Sequence, residues 1–169
     1  MKADLRAELL RRTVLDQEAR WAHDSAAMER ADSDNLPWIR QVIAEHGWPG
    51  RSDVGDDGAQ AAWLLVQHAD ADPAFQRDCL GLLTSAVGQG EARRSHLALL
   101  TDRVLVAEGQ PQEYGTQLRY RDGECVPFRC VIRSGSTSAG RRWRCSRWPT
   151  MWPSWRSRNA GRRGRQWPS

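Results

Sequence analysis

The sequence predicts a mainly α-helical, compact domain of about five helices with a small C-terminal β-hairpin, followed by an irregular basic tail. Three observations predict it. Apolar residues recur at helical spacing from Leu5 to Leu105. Two short stretches flank Asp122-Gly123, a dipeptide that favours a two-residue hairpin turn. From Arg129 onward neither the helical nor the strand period survives. The expected division is a helical domain over 1–128, with its hairpin at about 112–128, and an Arg/Trp-rich tail over 129–169.

The organising stretch is GAQAAWLLVQHADADP, Gly58 to Pro73. Ala59, Ala61, Ala62, Trp63, Leu64, Leu65 and Val66 leave no polar face on a helix, so this helix must be surrounded by protein. Before it, residues 3 to about 30 read as one long amphipathic helix with Leu5, Leu9, Leu10, Val14 and Leu15 on its stripe and Trp21 continuing it. The run Asp32-Ser33-Asp34-Asn35 offers N-caps for a second helix, Leu36 to His46, stopped by Gly47 and by Trp48-Pro49-Gly50. Arg51 to Asp57 reads as a polar connection into the central helix.

Beyond the centre, Asp72 and Pro73 supply an N-cap and a proline at the first helical position. Phe75, Cys79, Leu82, Leu83, Ala86 and Val87 then form a buried face that ends at Gly88 or Gly90. Ser95 is the expected cap of a fifth helix with Leu97, Leu100, Val104 and Leu105 inward and Gly109 as its stop. The alternation of Tyr114, Thr116, Leu118 and Tyr120 with polar neighbours marks the first hairpin strand. Pro127 makes the second strand an edge, or brings it to its end.

A length of 169 residues suits one domain with a real core. The net charge of +4 conceals a division. Residues 129–169 hold 11 Arg and no acid, and five of the nine Trp: Trp143, Trp148, Trp152, Trp155 and Trp167. The rest of the chain is net acidic. No apolar run has signal-peptide or membrane-spanning length, so a cytoplasmic protein without membrane attachment is expected. The four cysteines show no CxxC pair, and Cys79, among core residues, reads as a reduced, buried thiol.

Three readings compete for the tail. It is a basic, aromatic arm binding nucleic acid nonspecifically, a disordered segment, or a stretch translated out of frame from GC-rich coding sequence. With GC-rich codons chosen for Val131 to Arg156, joining the last base of each to the first two of the next gives a string that can be read as DPERVDERRAAVALLPLADYVAELE, a hypothetical peptide that is not in this chain. Its balanced charge and two amphipathic stretches favour the out-of-frame reading.

HGWP at His46 to Pro49, AAWLLVQHAD at Ala61 to Asp70, LTDRVLV at Leu100 to Val106 and YGTQ at Tyr114 to Gln117 together resemble a family of bacterial proteins known only as a domain of unknown function. The resemblance covers roughly Leu5 to Phe128 and departs after it. It implies that relatives continue past the hairpin with a segment similar to the alternate-frame peptide. It implies an outline and no mechanism.

The polar residues with chemical potential are His46, Gln67, His68, His96, Asp102, Arg103, Tyr114 and Gln117. His68 ends the buried helix, where the dipole favours an imidazolium, with Asp70 near in sequence. His96 and Arg103 share a helix face. A cleft bordered by His68, His96, Arg103 and the Tyr114–Gln117 strand would supply a general base and a cation, with Gln67, Asp102, Tyr114 and Gln117 as binding groups. For each residue alone, a structural role is the stronger reading. No metal site and no cofactor are expected: HExxH, clustered Cys and His, Gly-rich phosphate loops and a serine elbow are all missing from the sequence. The leading expectation is a binding or interaction module. The alternatives are a small hydrolase-like enzyme with a His/Arg/Tyr cleft, and nucleic-acid binding through 129–169.

Overall fold

α3, Arg51–Gln67, is the axis on which the other helices are assembled. In the computed structural model, which describes residues 3–121 and 124–131, it is joined by α1 (Ala3–Trp21), α2 (Ser25–His46), α4 (Pro73–Gly88) and α5 (Arg94–Ala107), all four packed against it. Of residues 120, 121, 124 and 125 only the backbone is described. Nine residues of α3 are buried, among them Ala59, Ala61, Ala62, Leu65 and Val66, so the apolar circumference read from the sequence is covered as burial demands. Leu9, Ile39, Leu65, Leu83 and Leu100, one from each helix, are at most 2 % exposed. Each such side chain contributes roughly 1.5–3 kcal/mol by leaving water.

The chain departs from its expected segmentation at the first two helices. One helix over 3 to about 30 was expected; α1 stops at Trp21, and His23, with φ 53°, turns the chain. Asp24 rather than the 32–35 run caps α2, its side chain accepting from Ala27 N at 3.0 Å. Asp32 and Asn35 spend their side chains on Arg20 and Arg12 of α1 instead. The stripe also moves: Val14, Leu15 and Trp21 are more than half exposed, while Asp16 and Ala19 are buried. Leu9, Asp16 and Ala19 therefore line the inward face, with a carboxylate where an apolar residue is the ordinary choice.

Arg51 to Asp57 is helical rather than a connection, broken by a single non-helical residue, Gly55, at φ 77° and ψ 169°. A left-handed φ of this kind is what glycine allows at little cost. α4 starts as read, with Asp72 accepting from Phe75 N at 3.0 Å and Pro73 at the first position. α5 begins one residue before the expected cap: Arg93 holds the N-cap position without a side-chain bond, and Ser95 is inside the helix.

β1 (Leu118–Arg121) and β2 (Glu124–Pro127) pair antiparallel, with Leu118 opposite Pro127 and Arg121 opposite Glu124. Tyr114 to Gln117, expected as strand, is a loop. Two buried side chains hold it there. Asp102 accepts from Glu113 N at 2.8 Å, Tyr114 N at 2.9 Å and Thr116 N at 2.7 Å. Gln112 accepts from Gln117 N at 2.7 Å and donates to Gln117 O at 3.0 Å and Phe128 O at 2.9 Å. The Gln112 backbone also bridges to Arg129 O and Val131 N, at 2.8 and 2.9 Å, so the ordered pairing passes Phe128. The rest of the basic stretch, and every reading of it above, lies outside the described residues. Among the described residues no helix is long and apolar enough to cross a membrane.

Candidate functional site

His68 is the C-cap of α3, its backbone N–H returning to Leu64 O. Gln76 of α4 donates to the last carbonyls of that helix, Val66 O at 3.1 Å and Gln67 O at 3.2 Å, which fixes the turn carrying His68. The imidazole is thereby directed at α1. Its Nδ1 lies 2.9 Å from Asp16 Oδ2 and 3.1 Å from Oδ1. The sequence reading paired His68 with Asp70; the fold supplies Asp16, from a helix 52 positions away.

Asp16 is 1 % exposed and collects several donors. Gln17 Nε2 reaches Oδ2 at 2.8 Å and Arg20 Nε reaches Oδ1 at 3.1 Å. Burial pushes this carboxyl up, but the His68 hydrogen bond and charge, aided by Gln17 and Arg20, outweigh it and hold it down at about 2. An ionised carboxylate only accepts, so Nδ1 carries the proton. Arg20 Nε also approaches Nδ1 at 3.0 Å, and both donors face the same carboxylate. Among the described residues no protein group bonds His68 Nε2.

Arg20 continues into α2, its Nη2 donating to Asp32 Oδ1 at 2.6 Å. Burial raises the Asp32 carboxyl, opposed by Arg20 and reinforced by the charges of Asp16 and Asp70. Among the described residues the remaining terminal nitrogen, Nη1, meets only the Met28 sulfur, at 3.9 Å. Arg20, Asp32, His68 and Asp70 open together on a cleft of about 690 Å³, with Ser25 and Ser33 adding hydroxyls and Met28, Leu36 and Ala71 apolar surface.

The other sequence candidates do not converge there. Arg103 forms a two-pronged ion pair with Asp70, Nε to Oδ1 at 2.7 Å and Nη2 to Oδ2, and donates to Gln117 Oε1 at 3.2 Å. It borders the cleft only through Asp70. His96 is buried in a stack on Trp63, ring centroids 4.1 Å apart, and does not line the cleft. Asp102 and Gln117 hold the 113–117 loop, and Tyr114 of that loop is 44 % exposed. Gln67 is buried, with its Oε1 unpartnered among the described residues. His46 is a surface residue 3.8 Å from Glu45. Cys79 is fully buried, and burial pushes its thiol up to about 12.

Asp16, Arg20 and Asp32 are the site residues that sequence reasoning missed. The available signal was the spacing of Asp16 from Leu9 and Ala19, which puts it on the buried face. Among the described residues no group of three or more His, Cys, Asp or Glu is arranged to hold a metal ion.

A family model described as a family of unknown function, DUF6624, matches residues 3–147, past Phe128, where the sequence reading placed the departure. No curated protein and no solved structure matches the chain.

Proposed function

Since the chain belongs to DUF6624, a family whose description names no activity, we propose from geometry that it is a binding module whose ligand seat is the cleft at the C-terminal end of α3. One observation carries the reading: charged side chains from α1, α2 and the segment after α3 meet at a single opening that also has an apolar side. A few polar groups over apolar surface is the usual composition of a small-molecule site. Glu29, Asp32 and Asp70 outnumber Arg20 in the lining, which disfavours anionic ligands and favours neutral or cationic ones.

The test is a small-ligand screen followed by nuclear magnetic resonance. Neutral and cationic compounds should shift the His68 ring and Arg20 side-chain signals, and His68→Gln should weaken binding about 10-fold, the loss of one good polar contact. Shifts confined to other surfaces, or equal binding of anionic compounds, would remove the cleft from the argument.

A further inference from the structure

We infer that the cleft is also a hydrolytic centre for neutral or cationic carboxyl esters, in which His68 is the general base, Asp16 positions it, and Arg20 receives the developing oxyanion. The inference rests on the binding reading and names the chemistry of the same cleft.

The geometry of three groups points to it. Asp16, at 1 % exposure, spans His68 Nδ1 with both oxygens, so the ring is fixed in orientation and tautomer with its proton on Nδ1. Nε2 then carries the lone pair of the neutral ring, on a residue that lines the cleft, and that atom has no protein partner among the described residues. Arg20 is held at its Nε by Asp16 and at Nη2 by Asp32, while Nη1 meets no oxygen among the described residues. A guanidinium fixed on two sides with donors to spare is a preorganised group for negative charge. The charges facing His68 are Asp16 and Arg20 from α1, Glu29 and Asp32 from α2, and Asp70 beyond α3. Asp70 is already paired with Arg103. The acidic rim disfavours phosphate esters and carboxylates, and the Met28 and Leu36 surface suits a short acyl or alkyl group.

The step balances without a further reactant. His68 Nε2 takes a proton from a water as the water oxygen bonds to the ester carbonyl carbon, and the carbonyl electron pair moves to the oxygen facing Arg20 Nη1. The intermediate then reforms its carbonyl, the bond to the alkoxy oxygen breaks, and Nε2–H returns the proton to that oxygen. One ester and one water become one acid and one alcohol, and the ring is again neutral.

The experiment uses the full chain with three carboxyl esters: 4-nitrophenyl acetate as the neutral probe, acetylcholine, followed by acid release, as the cationic one, and the 4-nitrophenyl half-ester of succinate as the anionic one. The first two should be hydrolysed with saturation, and the third about 10-fold more slowly in kcat/KM. His68→Gln, folded by circular dichroism, should lose about 100-fold in kcat, the ordinary worth of a general base. Asp16→Asn should lower kcat about 10-fold with KM nearly unchanged, because the ring still lines the seat but is no longer held in line with the attacking water. Full activity in His68→Gln, or a loss in Asp16→Asn carried by KM with kcat unchanged, overturns the inference. If Asp16→Asn does not fold, Arg20→Lys decides, since kcat unchanged in that variant overturns it equally. Choline, which has no ester, separates the two readings: binding in the cleft without ester hydrolysis sinks the catalytic inference alone, and absence of both sinks the binding reading with it.

Discussion

The imidazole of His96 lies flat on the indole of Trp63, centroids 4.1 Å apart and planes 9° from parallel, and the indole Nε1 donates to the His96 carbonyl at 3.1 Å. The stack is at the interface of α5 with α3 and makes His96 a core residue. Burial first, then the positive charges of Arg93 and Arg51, hold its pKa down at about 4, with Asp56 opposing. The native state therefore keeps the ring neutral while the unfolded chain protonates it near 6.5. Stability is full above that pH, falls as pH drops toward about 4, and then levels, a total of about 3 kcal/mol. His96→Phe keeps a stacking ring and should flatten this part of the denaturation-against-pH curve. An unaltered slope in the variant would place the titration elsewhere.

Asp102 presents a different vulnerability. Its carboxylate satisfies three backbone N–H groups of the loop before β1 from a site with no exposure. Asp102→Ala should cost about 3–5 kcal/mol, because buried donors lose a charged acceptor. Hydrogen exchange at Glu113, Tyr114 and Thr116 should accelerate more than in α4. Uniform acceleration across the chain would mean a general loss of stability instead.

Two glycines should respond in opposite directions. At Gly55, φ is +77° and an added Cβ would stand 3.1 Å from Asp57 Oδ1, so Gly55→Ala should lower stability by about 1–2 kcal/mol. Gly81 is exposed inside α4 and an added Cβ meets nothing within 4 Å, so Gly81→Ala should raise stability by about 0.5–1 kcal/mol. Thermal unfolding of the pair checks both, and the same sign in the two variants would contradict the backbone argument.

For the tail the informative experiment is on the gene. Residues 129–169 contain 11 Arg and no acid, and over 131–156 the one-base-offset reading with chosen GC-rich codons gives a charge-balanced string with two amphipathic stretches. Sequencing codons 120 to 169 from the source organism should return that offset. An intact written frame would make the basic segment a genuine product, and salt-dependent binding to duplex DNA the next measurement.

Much of the architecture was legible because it follows from local chemistry. The all-apolar run from Ala59 to Val66 demanded a central position, and Asp72-Pro73 marked the start of α4 to the residue. The site was less legible because its parts are distant in sequence and one is disguised. Asp16 occupies an inward position that apolar periodicity treats as solvent-facing, and its partner is 52 residues away. Arg103, read from the sequence as a cation of the cleft, is taken up by Asp70, since the oxygens of the adjacent Asp102 are committed to the 113–116 loop. Alternation at Tyr114–Gln117 misled for the same reason: a buried acceptor held the backbone before a neighbouring strand could.

Gln112 uses both its side chain and its main chain to hold the hairpin, reaching Gln117, Phe128, Arg129 and Val131 at once. The β element is therefore gathered on itself at Gln112, while Asp102 and the Gln117 side chain, which meets Leu99 O and Arg103, moor its base to α5. Replacing Gln112 would undo the closure of the ribbon and leave its mooring on α5 in place, so the two ends of one small element would answer to different residues.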